Sequence, residues 1–168
     1  MMQLSLSIDS SLLVRDVAGD YRPANADEVL QAARRVLAGQ MRGCEALTSP
    51  QVVRDFLRVK LGALEHEVFA VIHLDAQNRV IDYVEMFRGT VSQTSVYPRE
   101  VVKEALARNS AALLLVHNHP SGVAEPSRAD ELLTQTLKSA LALVDVRVLD
   151  HLIVAGSAIL SFAERGLL

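Results

Sequence analysis

A short segment past the middle of the chain gathers residue types that bind metal ions. His117 and His119 are separated by one residue, and Asp130 follows eleven positions after the second histidine. Side chains at alternate positions of an extended backbone point to the same side, so both imidazoles can approach one ion from a strand end. Two histidines and a carboxylate suit Zn²⁺, and three protein ligands plus a water position are typical of catalytic zinc. The segment therefore predicts a zinc site that activates water for hydrolysis.

These residues also have structural interpretations. Ser127 and Asp130 match a helix capping box. In this motif the serine side chain accepts from the backbone N–H three residues later, and the acid at that position accepts from the backbone N–H of the serine. His117 and His119 could be loop histidines hydrogen-bonded to the backbone. Each interpretation is the favoured one when its residues are taken alone, whereas the combination within one segment favours metal binding.

The remaining histidines and the single cysteine are interpreted as structural. His66 lies near a strand start, His73 alternates with apolar neighbours, and His151 lies within a strand-like run, so none of them is expected to be a ligand. Asp150 could orient an imidazole, but adjacent strand residues point to opposite faces, which weakens a dyad with His151. Cys44 has no histidine or cysteine nearby in the sequence and is not expected to act as a nucleophile.

Two elements must position the metal-binding segment. Residues 111–116 form a short apolar run, which predicts a buried central strand that ends just before His117, although periodicity alone does not exclude a helix. Pro126 and Ser127 mark the start of a helix whose apolar stripe runs from Leu132 to Val144. Asp130 then lies in the first turn of that helix and faces back toward the histidines.

The rest of the chain predicts an α/β fold with a mixed sheet flanked by helices. A tight hairpin requires antiparallel pairing, while the later helices permit crossover connections. Residues 1–25 are predicted to be an extension with a short alternating stretch over 4–8. The other predicted elements are helices over 26–41, from about 48 to 62 and from Pro98 to about Asn109, and strands over 68–74, 80–87, 146–154 and 158–161.

Composition bounds the class of protein. A chain of 168 residues, half of them apolar, can form one compact domain with an appendage. The single cysteine excludes an internal disulfide and a four-thiolate metal site. No apolar run approaches the roughly 20 residues that cross a bilayer, and the N-terminus does not resemble a secretory signal, so a cytoplasmic protein is expected.

The charge distribution gives a mixed indication about nucleic acids. A formal net charge of −3 argues against a chain that binds mainly by neutralising phosphates. Basic residues do exceed acidic ones between positions 22 and 60, where a solvated helical face explains them equally well. The arginines concerned include Arg34, Arg35, Arg42, Arg54 and Arg58.

The spacing of His117, His119, Ser127 and Asp130 resembles the JAMM signature of the JAB/MPN+ metallopeptidases. More closely, residues 98–102, 117–122 and 150–154 resemble RadC-like JAB-domain proteins of bacteria, and the similarity runs from about Leu47 to Leu168. The resemblance implies a three-layer, cytidine-deaminase-like α/β domain over 46–168 after an N-terminal extension over 1–45. It also implies that the two histidines and the aspartate hold zinc.

The resemblance further implies an upstream glutamate that holds the reacting water. Glu67 directly precedes the first predicted core strand and is the favoured candidate, with Glu65 as the alternative. In the resulting hypothesis, Glu67 accepts a proton from water that attacks an amide carbonyl and then protonates the leaving amine. Ser127 could donate a hydrogen bond to the developing oxyanion while it also caps the helix. A protein or peptide is the expected substrate.

The sequence departs from the family at its N-terminus. Full-length RadC-like proteins carry a larger region that resembles helix-hairpin-helix DNA-binding modules, whereas about 45 residues precede the matched domain here, as in short forms of the family. This departure argues against inherited DNA binding. Two alternatives to a peptidase or isopeptidase remain open. One is a DNA-associated factor that uses the same metal on a phosphodiester, and the other is a metal-bound interaction module without catalysis.

Overall fold

The computed structural model describes residues 12–46, 50–89 and 95–168. The predicted alternating stretch over 4–8 and the predicted helix-start residues Thr48 and Ser49 lie outside the described residues. Within the described ranges, no helix combines the length and the apolar character needed to cross a membrane. The elements are β1 (Leu13–Arg15), β2 (Tyr21–Pro23), α1 (Ala26–Met41), α2 (Pro50–Leu61), β3 (Val68–Leu74), β4 (Val80–Arg88), α3 (Pro98–Ala107), β5 (Ala112–Asn118), α4 (Arg128–Ala142), β6 (Arg147–Ala155), β7 (Ala158–Ser161) and α5 (Phe162–Arg165).

A five-stranded mixed sheet forms the centre of the domain, with strand order β4-β3-β5-β6-β7. β3 is antiparallel to both β4 and β5, whereas β5 and β6 are parallel and are connected through α4. β7 then adds antiparallel to β6. The predicted α/β fold with a mixed sheet and a β3–β4 hairpin is confirmed. β5 is buried along its whole length, which explains why its sequence is an unbroken apolar run rather than an alternating one.

Helices cover both faces of the sheet and create two cores. Leu57 of α2 packs in one core with Leu114 of β5. Leu137 of α4 packs in the other core with Leu115 of the same strand. Because successive strand residues point to opposite faces, His117 lies on the same face as Leu115, which is the face that α4 covers. The alternation of β5 therefore directs a polar side chain toward the helix that carries Asp130.

The N-terminal extension contains a small hairpin that the sequence reasoning did not predict. β1 and β2 pair antiparallel as a separate two-stranded sheet. Their turn is held by Asp16, whose carboxylate accepts hydrogen bonds from the backbone of Ala18 and Asp20, and Gly19 supplies a φ of +97°. Strands of three residues carry too little periodicity to be distinguished from a loop.

His73 is a fully buried histidine on β3, far along the strand from the predicted metal ligands. Its Nδ1 lies 2.8 Å from Ser110 Oγ, whereas its Nε2 has no hydrogen-bond partner among the described residues. Burial is the main cause that lowers the pKa of His73 to about 4, and the charge of Arg108 adds to the effect. His73 is therefore a neutral core residue, in agreement with its predicted structural role.

This buried imidazole should make the protein less stable in mild acid. The unfolded chain binds a proton at His73 below about pH 6.5, whereas the folded protein does so only near pH 4, so unfolding is favoured as the pH falls between these values. Between about pH 7.5 and pH 5, we expect the wild type to lose about 2 kcal/mol more unfolding free energy than a His73→Leu, Ser110→Ala double variant. Urea denaturation with a metal chelator present measures both, with His66→Leu as the control. Parallel pH dependence in the wild type and the double variant would contradict the assignment.

Candidate metal centre

The end of β5 places the two predicted histidine ligands. The strand runs to Asn118, two residues further than the apolar run predicts, so His117 belongs to the sheet itself. His119 follows directly, and its backbone N–H donates to the carbonyl of Val154 at 2.8 Å, which keeps the chain beside β6. The side chains at 117 and 119 consequently point to one side, as their spacing predicts.

The start of α4 places the carboxylate. Ser127 is the N-cap of the helix, and the predicted capping box is present. Ser127 Oγ accepts from the backbone N–H of Asp130 at 3.2 Å, and Asp130 Oδ2 accepts from the backbone N–H of Ser127 at 2.7 Å. The Ser127 hydroxyl also donates to Asp130 Oδ2 at 2.6 Å. Capping therefore fixes the orientation of the carboxylate toward β5.

The three predicted ligands converge on one small space. The two Nε2 atoms of His117 and His119 lie 2.9 Å apart, and they lie 3.2 and 3.6 Å from Oδ1 and Oδ2 of Asp130 respectively. One ligand atom from each residue lies within 4.8 Å of the others, so the cluster could hold a metal ion. His119 Nδ1 donates to the carbonyl of Val123 at 2.8 Å, which leaves a lone pair on Nε2 when the ring is neutral. These converging electron-rich atoms form a site that could hold a cation.

The electrostatics of the cluster keep the carboxylate ionised. Burial acts to raise the pKa of Asp130, but its close polar contacts with His117, His119 and Ser127 outweigh burial and hold this pKa well below its usual range. The interaction with the Asp130 carboxylate is the largest cause that raises the pKa of His119, against the opposing effect of burial. A bound cation would therefore meet a carboxylate that is negatively charged at neutral pH.

His151 contacts the cluster although the sequence reasoning assigned it only a structural role. It is fully buried on β6, and its Nε2 lies 2.8 Å from His117 Nδ1. On its other side, His151 Nδ1 lies 2.6 Å from Thr134 Oγ1 of α4. Burial lowers the pKa of His151 well below its ordinary value, so the ring is neutral. His151 lies outside the set of three converging ligand residues, but it is hydrogen-bonded to one of them.

The sheet register explains why this contact was missed. β5 and β6 pair in parallel with Leu115 opposite His151, and a register shift lies between Leu113 and Leu114. After a shift of one residue, the later side chains of one strand lie opposite different residues of the adjacent strand, and the two strands' face assignments no longer follow from simple alternation. Such a shift leaves no pattern in the sequence. The available signal was the βαβ connection from β5 through α4 to β6, which makes the two strands neighbours.

Glu67 and Glu65 occupy different environments. Glu67 is partly buried immediately before β3, whereas Glu65 is exposed. The charge of Glu67 contributes to the raised pKa of His119, whereas that of Glu65 does not. The backbone on either side of Glu67 is clamped by Asn118, whose side chain accepts from the N–H of Val68 at 2.8 Å and donates to the carbonyl of His66 at 3.0 Å. Asn118, which lies between the two histidines, thus holds the backbone around Glu67 against the end of β5.

Asp150 does not orient the imidazole of His151, and its carboxylate has a different role. Its carboxylate accepts from the hydroxyl of Ser161 at 2.5 Å and from the backbone N–H of Ala163 at 2.9 Å, at the start of α5. It contacts the backbone of His151 rather than the imidazole. Asp150 therefore fixes the β7–α5 turn, and Thr134 is the side chain that binds the far side of the His151 ring.

The mixed sheet between helical layers, with this cluster at the end of its central strand, defines an α/β domain of the JAB/MPN class. Residues 47–167 match the RadC-like JAB domain, and the chain belongs to that family.

Curated relatives are UPF0758 proteins of bacteria. The protein of Leptothrix cholodnii is 62% identical over 150 residues, which are 89% of this chain and 68% of that protein. The protein of Methylibium petroleiphilum is 57% identical over 167 residues, 95% of this chain and 75% of its own length. That of Aromatoleum aromaticum is 64% identical over 146 residues, 86% of this chain and 65% of its own length. The similarity thus extends upstream of the matched domain.

Proposed function

We propose that this protein is a zinc-dependent hydrolase that cleaves an amide bond in a protein or peptide. The observation that carries the proposal is the convergence of His117, His119 and Asp130. The partly buried Glu67 lies close enough for its charge to help raise the pKa of His119. Two imidazoles and one carboxylate form the three-ligand set that leaves a position for water, and nitrogen with oxygen donors suits zinc better than calcium or magnesium. Within the described residues, no fourth histidine, cysteine or acid joins the cluster to close it.

The chain's own residues provide the remaining steps of hydrolysis. A bound zinc ion would lower the pKa of an attached water toward about 7 and polarise the substrate carbonyl. Glu67 takes a proton from the water as the water oxygen bonds to the carbonyl carbon of the substrate. The same carboxyl group then gives this proton to the amide nitrogen as the carbon–nitrogen bond breaks. Asn118 supports both transfers because it fixes the backbone that carries Glu67.

Ser127 has a structural role in the fold and a proposed chemical one. Its hydroxyl proton is directed to Asp130 Oδ2 at 2.6 Å, and its oxygen caps α4. For the proposed oxyanion contact, the hydroxyl must turn its proton from the carboxylate to the substrate oxygen. It can do this without loss of the cap, since the hydroxyl donates one hydrogen bond and accepts others.

Ser127→Ala separates these two roles. Loss of the cap should reduce the free energy of unfolding by about 1 kcal/mol, whereas loss of an oxyanion contact should reduce kcat by about 100- to 1000-fold. We expect both changes, measured by urea denaturation and by steady-state kinetics on the same preparation. Asn25→Ala is the matched control because it removes the capping box of α1, away from the cluster. A variant that unfolds more easily but turns over at the wild-type rate would restrict Ser127 to capping.

A peptide library provides the direct test of the proposed function. The zinc-loaded protein is incubated with peptides from a bacterial proteome, and mass spectrometry identifies new amino and carboxyl termini. We expect cleavage products that are absent from a parallel incubation with His119→Ala. Identical products in both incubations, or none over a range of protein concentrations, would reject peptidase activity.

The nucleic-acid alternative stays a prediction. Of the five arginines that motivated it, Arg54 and Arg58 are paired with Glu164 and Asp55, and Arg34 donates to a backbone carbonyl. These contacts agree with solvated helical faces. Salt-dependent binding of a DNA duplex by the intact chain would favour the alternative.

A further inference from the structure

We infer that Thr134 and His151 are positioning residues that fix the tautomer and the ring orientation of His117 for the metal. The inference rests on the metal site of the proposed function and does not depend on hydrolysis. It starts from three consecutive hydrogen bonds that lead from α4 through β6 to β5. Thr134 Oγ1 lies 2.6 Å from the carbonyl of Asp130, His151 Nδ1 lies 2.6 Å from Thr134 Oγ1, and His117 Nδ1 lies 2.8 Å from His151 Nε2.

The carbonyl of Asp130 determines the direction of all three bonds. A carbonyl oxygen can only accept, so the hydroxyl of Thr134 uses its single proton there. Thr134 Oγ1 must then accept from His151 Nδ1, which therefore carries a proton. A neutral His151 has its lone pair on Nε2 and accepts from His117 Nδ1. If Thr134 instead donated its proton to His151 Nδ1, the lone pairs of Thr134 Oγ1 and of the Asp130 carbonyl oxygen would face each other at 2.6 Å.

The consequence falls on the other nitrogen of His117. A neutral imidazole with its proton on Nδ1 has its lone pair on Nε2, and Nε2 is the atom that points toward His119 and Asp130. These three hydrogen bonds, from the Asp130 carbonyl through Thr134 and His151 to His117, form a relay. The relay selects the tautomer of His117 that can bind a metal ion through Nε2, beside His119 and Asp130. The second nitrogen of a metal-bound histidine usually donates to a carboxylate, a carbonyl or water, whereas the acceptor here is another histidine.

The relay also connects the ligands mechanically. It begins at the backbone of Asp130, a proposed ligand, and ends at His117, a second one. The His151 ring is fixed between Phe162 and Phe69, with ring centroids 4.8 and 6.0 Å away, and both phenylalanines are buried. A displacement of α4 relative to β5 would thus disturb the carboxylate and the imidazole together.

The chain contains a matched control for a test of Thr134. Thr136 lies two residues later on α4, is exposed, and donates in the same way to the carbonyl four residues back, that of Leu132, at 2.8 Å. Thr134→Val and Thr136→Val remove the same hydroxyl from the same helix, but only the first interrupts the relay. Thr134→Ser restores a hydroxyl at the relay position.

The first measurement is nitrogen-15 NMR of the histidine rings in the intact, metal-free protein at mildly alkaline pH. We expect the wild type and Thr136→Val to show His117 and His151 protonated on Nδ1 with a free lone pair on Nε2. Thr134→Val should show a mixture of tautomers at both rings. A wild-type His117 protonated on Nε2 would overturn the relay, whatever the metal content of the protein.

The second measurement is the zinc dissociation constant, determined by competition with a chromophoric chelator. Removal of such an outer partner typically weakens metal binding by about 10- to 100-fold, so we expect this loss in Thr134→Val. Thr136→Val and Thr134→Ser should remain within about threefold of the wild type. Equal affinities for Thr134→Val and Thr136→Val would overturn the positioning role. A wild type that binds zinc without cleaving peptides would reject the proposed hydrolase and leave the relay supported.

Discussion

Purified wild-type protein should bind one zinc ion per chain, and His119→Ala should lose it. The substitution leaves two of the three converging donors, His117 and Asp130. Structural sites bind zinc with a free energy of about 10–16 kcal/mol through four ligands, so one ligand contributes roughly 3 kcal/mol. Loss of one ligand should therefore weaken the affinity at least about a hundredfold. Elemental analysis after zinc loading and removal of free ion gives the stoichiometry, and chelator competition gives the affinity.

The design of this metal measurement follows from the burial of the ligands. His119 is partly exposed, whereas His117 is buried, so replacement of His119 disturbs the core less. His66→Ala is the matched control because it removes a histidine outside the cluster and keeps the backbone carbonyl that Asn118 binds. Equal zinc in all three proteins would place the ion elsewhere, and a wild type without zinc after reconstitution would reject the metal centre.

Glu67→Gln should retain zinc and lose turnover. Glutamine keeps the size of the side chain but cannot accept a proton from water, and a positioned general acid–base group typically contributes about 100- to 10,000-fold to the rate. We expect kcat to fall within this range on a peptide that the library experiment identifies, with KM changed much less. Zinc content, measured on the same samples, separates a loss of proton transfer from a loss of the ion.

Glu65→Gln is the control for this second substitution. It makes the same chemical change two residues earlier in the sequence, on an exposed side chain. We expect it to turn over at the wild-type rate. The reverse result, with Glu65→Gln inactive and Glu67→Gln active, would transfer the general base to Glu65. Two fully active variants would show that neither carboxylate takes the proton.

The sequence predicted those parts of the fold and site that depend on local pattern. The apolar run of β5, the cap at Ser127 and the spacing from His117 to Asp130 each have a short-range physical cause. They were predicted because alternation and capping act within a few residues. The helix α4 and the β3–β4 hairpin were predicted for the same reason, since each has a clear period and a recognisable turn.

The features that were missed depend on neighbours distant in sequence. The contact of His151 with His117 requires the register of two parallel strands, and the clamp by Asn118 joins positions fifty residues apart. Neither residue type is unusual in its local context, so no local pattern separates them from ordinary strand residues. The short helix α5 was missed because four residues are too few to establish a helical period.

The parts of the proposed centre also differ in how far apart they lie along the chain. All three candidate ligands come from one stretch of fourteen residues that spans the β5–α4 connection, whereas Glu67 lies fifty residues before His117 on the other side of the β3–β5 pairing. Closing a short loop costs less conformational entropy than closing a long one, and proteins open in cooperative units smaller than the whole. Partial opening that separates β3 from β5 would therefore leave a segment that still captures the ion but has lost its base. Metal retention and loss of activity on heating should consequently follow different temperature curves, with activity lost first.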